Sequence, residues 1–311
     1  MSASASKKVI YAALIGNLLI AITKFIAAGM TGSAAMLSEG IHSAVDTGNQ
    51  GLLLYGLWRA KKPADENFPF GYGKEVYFWS FVVALMIFAV GAGVSTYEGI
   101  HRFMHPKPME RVMVNYVVLG LAMVFEGAAW LFAVKEFSKM KGRRGFIEAV
   151  QMGKNPSAFV VLFEDSAAML GLVVALVGIL LVQLTGDARY DGLASIVIGL
   201  ILGGTAAWLA YETKGLLVGE SALPEVVRNI RRMAGQCPEI EVVNEVLTLH
   251  MGPEFILVNL SVDLRNSISA EDAERAIQRL DTRIKQAHPR VKRVFIEGEA
   301  RRARPAVSDG T

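Results

Sequence analysis

Long apolar runs separated by short polar gaps fill the chain up to about residue 214. The hydrocarbon core of a bilayer is about 30 Å thick and takes roughly 20 mostly apolar residues per helix. By this criterion the pattern predicts six transmembrane helices. They cover residues 9–30, 34–58, 76–100, 112–134, 158–183 and 190–211. We therefore expect residues 1–214 to form a transmembrane domain.

The pattern changes to that of a soluble domain from Leu216 onward. Helical and strand-like segments follow one another there in the order αββαβ. They cover residues 223–235, 245–252, 255–264, 269–288 and 291–299. In the second strand, Ile256, Val258, Leu260, Val262 and Leu264 alternate with other residues and fall on one face.

The expected fold class is an α-helical membrane protein with six transmembrane helices and a small C-terminal α+β domain. The αββαβ order is typical of a ferredoxin-like arrangement, which we expect over residues 215–300 as a cytoplasmic domain. Residues 301–311 are rich in charged and small residues, and we expect a disordered tail there.

Basic residues mark one side of the predicted membrane domain. Lys7 and Lys8 precede the first helix, and most other basic residues of the gaps follow the second and fourth helices. These are Arg59, Lys61, Lys62, Lys74, Lys139, Lys141, Arg143, Arg144 and Lys154. The positive-inside rule then places both termini in the cytoplasm. The first apolar run continues to Met30 without a small-residue cleavage site, so we expect a retained helix rather than a signal peptide. We expect a multi-pass protein of a bacterial inner membrane.

Composition further narrows the class of protein and the kinds of binding site that the chain can contain. The chain has 311 residues, of which 52% are hydrophobic, and a mean hydropathy of +0.37, values typical of a membrane protein with a soluble module. The net charge of +3 is too small to indicate a nucleic-acid partner. A single cysteine, Cys237, excludes an intramolecular disulfide and a cysteine-rich metal site.

The second predicted helix carries ionisable residues in the middle of its span. Glu39, His42 and Asp46 lie within "SEGIHSAVDTGNQG". An α-helix places residues four apart on one face, so His42 and Asp46 can close on one ion. The fifth predicted helix supplies Glu164 and Asp165 at a comparable depth. Imidazole with carboxylates suits a divalent transition metal better than Mg²⁺ or Ca²⁺, which prefer all-oxygen ligands.

Three further ionisable residues admit more than one interpretation. Lys24 in the first helix and Glu126 in the fourth predict an internal ion pair, although Glu126 also suits a proton or metal path. Asp65 follows Pro63 in the gap after the second helix. A turn or cap role is favoured for Asp65 over metal binding.

These residues resemble the motifs of the cation diffusion facilitators, a family of six-span exporters of zinc and related metals. Its second and fifth spans each carry an (H or D)-x-x-x-D pair, and His42 with Asp46 matches the first of these. Asp165 matches the aspartate of the fifth span, six residues before Gly171. The stretches "DENFPFGYGKE" and "YDGLASIVIG" resemble the first cytoplasmic loop and the sixth span. "SEGIHSAVDTGNQG" together with "FEDSAAMLG" resembles the branch that includes animal zinc transporter nine.

The resemblance implies efflux of a divalent transition metal, foremost zinc, in exchange for protons by alternating access. Zn²⁺ is then the transported substrate rather than a cofactor, and protons and membrane lipid are the other partners. The resemblance also implies a homodimer. No nucleic acid is expected.

The implied ligand set is incomplete. His42, Asp46 and Asp165 match family ligands, but Val161 stands where the second ligand of the fifth span is expected. Glu164, a water molecule or Asn17 can supply that ligand. The accessory candidates around this site are Asn17, Glu39, Glu126 and Asp65.

Other functions compete with proton-coupled zinc efflux. An exporter of the same family selective for Mn, Fe or Co would carry similar residues. An intramembrane metalloenzyme would need similar ligands too, but the sequence has no H-E-x-x-H or G-x-S-x-G motif to supply a base or a nucleophile. We therefore do not expect an enzyme. A scaffold that has lost transport stays open because of Val161.

Overall fold

The computed structural model describes residues 3–107, 112–141, 145–151 and 156–300. The helices of the first part are α1 (Ala3–Thr31), α2 (Ala34–Arg59), α3 (Glu75–Met104), α4 (Val112–Lys141), α5 (Phe146–Gln151), α6 (Pro156–Thr185) and α7 (Arg189–Val218). The elements that follow are α8 (Pro224–Gly235), β1 (Ile240–Gly252), β2 (Phe255–Leu264), α9 (Ala270–Ala287) and β3 (Val291–Gly298). The expected tail, 301–311, and the basic positions within 142–144 and 152–155 lie outside the described residues.

The chain divides into two compact units. One comprises the chain through Lys61 together with Glu75–Lys214, and the other comprises Lys62–Lys74 and the chain from Gly215. The loop between α2 and α3 therefore belongs with the C-terminal unit rather than with the helices that it connects.

All six segments predicted to cross the membrane are helical. Among the described residues, four helices are long and apolar enough to span a bilayer: α3, Val112–Lys135 of α4, Phe159–Thr185 of α6, and α7. In α1 the apolar stretch covers Asn17–Thr31. α2 has 26 residues, enough length for a span, but several polar groups interrupt it. The chain is thus a multi-pass helical membrane protein, and the number six stays a prediction.

Asp191, the third residue of α7, anchors the N-terminus of α2. Its Oδ2 accepts a hydrogen bond from the backbone N–H of Ala34 at 2.6 Å, and its Oδ1 accepts from Oγ of Ser33 at 2.7 Å. The N–H of Ala35 also donates to Oδ1, at 3.3 Å. The first amides of a helix lack intrahelical partners and carry partial positive charge, so a buried carboxylate is stabilised there. Asp191 therefore fixes where α2, the helix with the ionisable cluster, begins.

Glycines let α3 and α7 approach closely. A Cβ on Gly99 would stand 2.6 Å from the backbone N of Ile196, and a Cβ on Gly192 would stand 2.6 Å from that of Phe103. Residues Ile87–Ala92 of α3, which precede this contact, are π-helical. A π-helical turn shifts the helix face that follows it, so the part of α3 after Ala92 presents a different face to α7 than an unbroken α-helix would.

The C-terminal domain is a mixed three-stranded sheet in the order β1-β2-β3. β1 pairs with β2 antiparallel, and β2 pairs with β3 parallel through the crossover helix α9. The predicted αββαβ order is confirmed. β1 begins at Ile240 instead of Glu245, because register shifts let Val242 and Val243 continue the pairing with β2.

The core of this domain lies between the sheet and the helices α8 and α9. The alternation predicted for β2 is confirmed for Ile256, Val258, Leu260 and Val262, which are all buried. Leu264, at the end of the strand, packs against this core but is only partly buried. The other buried members are Ala222, Ile230, Met233, Ala234, Cys237, Ile240, Val246, Leu280, Ile284 and Val291. Burial raises the pKa of the Cys237 thiol, which is consistent with a packing role.

A polar network organises the loop Lys62–Lys74. The hydroxyl of Tyr72 donates to Oδ2 of Asp65 at 2.6 Å, and Nζ of Lys62 lies 3.0 Å from the same oxygen. The N–H of Phe68 donates to Oδ1 of Asp65 at 2.9 Å. These three bonds, that of Tyr72 foremost, lower the pKa of Asp65 to about 2. The interpretation of Asp65 as a turn residue is confirmed.

Candidate functional site

A stripe of polar side chains runs along one face of α2. Its members are Glu39, His42, Ser43, Asp46, Asn49 and Gln50, and all are buried. Spacings of three and four residues place them on one side of the helix. We call this stripe the polar face of α2. In a helix within a membrane domain, buried ionisable groups are costly unless they are paired or bind an ion.

His42 and Asp46 lie beside each other on this face, as their spacing predicts. Nδ1 of His42 is 3.4 Å from Oδ1 of Asp46, and both residues are almost fully buried. Neither ring nitrogen of His42 has a hydrogen-bond partner among the described residues, and nor does Oδ1 of Asp46. Two adjacent ligand atoms are thus buried without a partner, an arrangement that an incoming cation would satisfy.

The facing helix α6 presents Glu164 to the polar face. Nδ2 of Asn49 donates to Oε1 of Glu164 at 2.6 Å. The carboxyl group of Glu164 also lies near that of Asp46. Glu164, one of the candidates for the missing ligand, is 2% exposed, and its side chain reaches Asn49 on α2.

Asp165 is placed differently. It is only partly buried, and it makes no hydrogen bond or ion pair within the described part of the chain. Successive residues of an α-helix point about 100° apart, so Glu164 and Asp165 leave α6 in different directions. Val161, one turn earlier, is also partly buried. In this conformation Glu164 is the α6 carboxylate nearest to the polar face.

A second group of charges joins α1, α2 and α4. Nζ of Lys24 donates to Oε1 of Glu126 at 2.7 Å, to Oγ of Ser43 at 2.9 Å and to Oε2 of Glu39 at 3.1 Å. Lys24 and Glu39 are fully buried, and the side chain of Glu126 is 11% exposed. The predicted pairing of Lys24 with Glu126 is confirmed. The sequence pattern did not indicate that Glu39 shares the same ammonium group.

Gly171 of α6 makes room for Glu39. A Cβ at this position would collide with Oε1 of Glu39, which has no hydrogen-bond partner among the described residues. The glycine six residues after Asp165 therefore has a steric role, because it admits a carboxylate from α2 between the two helices.

Two accessory candidates, Asn17 and Asp65, remain. Asn17, in α1, is partly buried and makes no hydrogen bond that the described residues show. Asp65 belongs to the loop network of the C-terminal unit. Within the described residues, no three His, Cys, Asp or Glu side chains come together in an arrangement that would hold a metal ion. The cluster thus offers a pair of ligands with a third carboxylate nearby.

Three members of the polar face were not among the site residues predicted from the sequence: Ser43, Asn49 and Gln50. They sit three or four residues from Glu39, His42 and Asp46, so extending the helical spacing in both directions would have found them. Asn49 matters most, since its amide holds the carboxylate of Glu164 against α2.

A multi-pass helical domain with buried, unpartnered ligand atoms on facing helices is typical of proteins that move ions across membranes. The cation efflux transmembrane domain family matches residues 10–218. The chain belongs to this family, which consists of transporters rather than enzymes.

Relatives cover most of the chain. The proton-coupled zinc antiporter SLC30A9, mitochondrial, of Mus musculus is 34% identical over 281 residues, which are 88% of this chain and 50% of that protein. Metal tolerance protein C4 of Arabidopsis thaliana is 32% identical over 70% of this chain and 48% of its own length. Manganese efflux system protein MneP of Bacillus subtilis is 20% identical over 94% of this chain and 95% of its own. The chain thus spans about half the length of the first two relatives.

Proposed function

We propose that this protein exports a divalent transition metal, foremost zinc, across a membrane in exchange for protons. The observation that supports it most strongly is the pair of His42 and Asp46 at the centre of the polar face, where both ring nitrogens of His42 and Oδ1 of Asp46 are buried without a hydrogen-bond partner among the described residues. The name of the mouse relative, a proton-coupled zinc antiporter, points the same way.

The donor set favours zinc. His42 provides an imidazole, and Asp46 and Glu164 provide carboxylates. Zn²⁺ binds such ligands at about 2.0–2.2 Å and tolerates four-coordinate sites completed by water. A helix rotation that turns Asp165 toward α2 would add a further carboxylate. We propose His42, Asp46 and one or both α6 carboxylates as the transport ligands.

The same imidazole and carboxylate groups can bind either a metal ion or protons, which accounts for exchange between the two. Metal binding requires imidazole and carboxylates without protons, so metal entry releases protons, and protons arriving from the other side release the metal. Alternating access would expose the site first to one face and then to the other. The buried carboxylates of this cluster provide the proton-binding groups that such a cycle needs.

Zinc flux into liposomes tests the proposal. Purified protein is reconstituted, a pH gradient is imposed, and Zn²⁺ entry is followed with an enclosed indicator. We expect flux that follows the gradient in the wild type and no flux in Asp46→Asn. Glu98→Gln is the matched control, because it removes a carboxylate from α3 outside the polar face. No zinc flux in the wild type would overturn the proposal, and flux indifferent to the gradient would overturn the proton coupling.

Selectivity tests the role of His42. Imidazole favours Zn²⁺ over Mn²⁺, whereas oxygen-only sites relax this preference. We expect His42→Asp to raise the ratio of Mn²⁺ to Zn²⁺ flux. Manganese is the alternative substrate, named for the Bacillus subtilis relative. An unchanged ratio in the variant would mean that His42 packs between helices and does not bind the metal.

Membrane orientation and assembly complete the proposal. We propose a six-span transport domain over residues 1–214 and a cytoplasmic domain over 215–300, with both termini on the cytoplasmic side of a bacterial inner membrane. The excess of basic residues in two gaps supports this orientation. We also propose a homodimer. Deleting the chain from Leu216 should weaken it in detergent, and a truncated chain that stays dimeric would exclude the C-terminal domain as the main contact.

A further inference from the structure

Two histidines stand together at the end of α3, away from the polar face of α2. His101 and His105 are four residues apart and both are exposed. Their ring centres lie 5.1 Å apart, with a tilt of 34° between the ring planes. Two imidazoles bound to one tetrahedral Zn²⁺ through nitrogens at about 2.1 Å have their ring centres about 5 Å apart. The pair is therefore already spaced for a shared ion.

The surrounding contacts prepare both rings for binding. Nδ1 of His105 lies 3.3 Å from the carbonyl oxygen of His101. A carbonyl only accepts, so this contact places the proton on Nδ1 and leaves the lone pair of Nε2 free for a metal. The ring of Tyr97, one turn before, stacks on His101 with a tilt of 20° at 6.4 Å. The stacking restricts how the His101 ring can turn.

The pair also lies beside the start of the helix that carries the candidate transport site. Arg102, next to His101, donates a hydrogen bond to the carbonyl of Gly32 in the turn between α1 and α2. α2 begins two residues later, at Ala34. With about 1.5 Å of rise per residue, His42 lies about 12 Å further along α2. An ion bound at the end of α3 would thus lie near the N-terminal end of α2, from which the polar face extends.

We propose that His101 and His105 form a second, weak binding site for a divalent transition metal at this end of the membrane domain. Imidazole ligands select ions such as Zn²⁺ over Mg²⁺ and Ca²⁺. Because the described residues contain no third His, Cys, Asp or Glu that converges on the pair, water completes the coordination. Metal binding by His101 and His105 does not depend on the proposed function. A role for this site in collecting or releasing the transported ion does rest on it.

Protection of the histidines from diethyl pyrocarbonate tests the binding. The probe is Zn²⁺ alone, added to the tag-free full-length protein in detergent, with modification of each histidine followed by mass spectrometry. At about ten times the Kd, Zn²⁺ should slow the reaction of both His101 and His105 about tenfold, since only the unliganded fraction reacts. Mg²⁺ at the same concentration should not. His288 of the C-terminal domain is the internal control.

A single substitution then tests whether the two rings share one ion. In His101→Gln the backbone carbonyl that accepts from His105 remains, so His105 should react at its usual rate without metal and lose its protection with Zn²⁺. His105→Gln should do the same to His101. Absence of protection in the wild type, or protection of His105 that persists in His101→Gln, would overturn the site.

Transport measurements separate this site from the proposed function. In Asp46→Asn, zinc flux should disappear while protection of His101 and His105 persists. If the wild type shows protection but no flux, the proposed function fails and the two-histidine site stands. If the wild type shows flux but no protection, the site fails and the proposed function stands.

Discussion

Nζ of Lys24 in α1 lies 2.7 Å from Oε1 of Glu126 in α4 and 3.1 Å from Oε2 of Glu39 in α2. One buried ammonium group therefore holds three helices at one point. It also leaves Oε1 of Glu39 and Oε2 of Glu126 without hydrogen-bond partners among the described residues. This cation reduces the negative charge beside the polar face of α2.

Replacing the ammonium group should destabilise the membrane domain. Lys24→Met leaves two buried carboxylates without their cation, and breaking a buried ion pair in this way costs about 3–5 kcal/mol. Thermal unfolding in detergent measures the effect. Lys135→Met, an exposed lysine of α4, is the matched control and should unfold near the wild-type temperature.

A compensated variant distinguishes charge from packing. Lys24→Met combined with Glu39→Gln and Glu126→Gln removes the uncompensated charges, so most of the lost stability should return. If the triple variant melts as low as Lys24→Met, the loss comes from altered packing and not from unpaired charge.

The two α6 carboxylates should differ in their effect on metal affinity. Glu164 contacts Asn49 and lies near Asp46, whereas Asp165 is only partly buried and makes no hydrogen bond to α2 among the described residues. We expect Glu164→Gln to weaken zinc binding at least about tenfold, a loss of about 1.4 kcal/mol, and to exceed the loss in Asp165→Asn. Calorimetry on purified protein measures both.

The opposite order would also be informative. If Asp165→Asn abolishes binding and Glu164→Gln leaves it unchanged, the ion binds in a conformation in which α6 has rotated, and Glu164 has a structural role in the arrangement described above.

Gly171→Ala should disturb the contact between α2 and α6. The added Cβ meets Oε1 of Glu39, and forcing extra atoms into a packed interior costs about 1–3 kcal/mol. Gly120→Ala is the control, since a Cβ at that position of α4 meets nothing within 4 Å. Thermal unfolding should separate the two variants, and equal melting temperatures would show that Glu39 moves aside without cost.

Acid should disrupt the hydrogen bonds of Asp65 in the loop Lys62–Lys74 only at very low pH. Since the folded pKa of Asp65 is about 2 and that of a free aspartate about 3.9, the network's contribution to stability is complete above about pH 4. It is lost as the pH falls through about 2, when the carboxylate takes up a proton. Carbon NMR of labelled aspartate reports the midpoint. In Tyr72→Phe the hydroxyl donor is gone, and the midpoint should rise toward the free value; an unchanged midpoint would contradict the assignment.

The helical segments of the membrane domain could be predicted because their cause is local. A run of apolar side chains about 20 residues long favours a helix wherever hydrocarbon surrounds it, and it does so before any helix meets another. The same holds for β2, whose alternating Ile256, Val258, Leu260 and Val262 require one buried face. The pairing of His42 with Asp46 followed equally from helical spacing within a single element.

The contacts between elements needed the tertiary structure. Whether Glu164 or Asp165 faces α2 depends on the rotation of α6 about its axis, and an apolar sequence around both residues leaves that rotation undetermined. Lys24 in α1 pairs with Glu39 in α2 and Glu126 in α4. Gly171 in α6 makes room for the Glu39 carboxylate, which comes from α2. The sequence thus determined which residues are buried in helices and able to bind a cation. Only packing decided which of them meet, because the distances between side chains on different helices depend on how those helices approach and rotate.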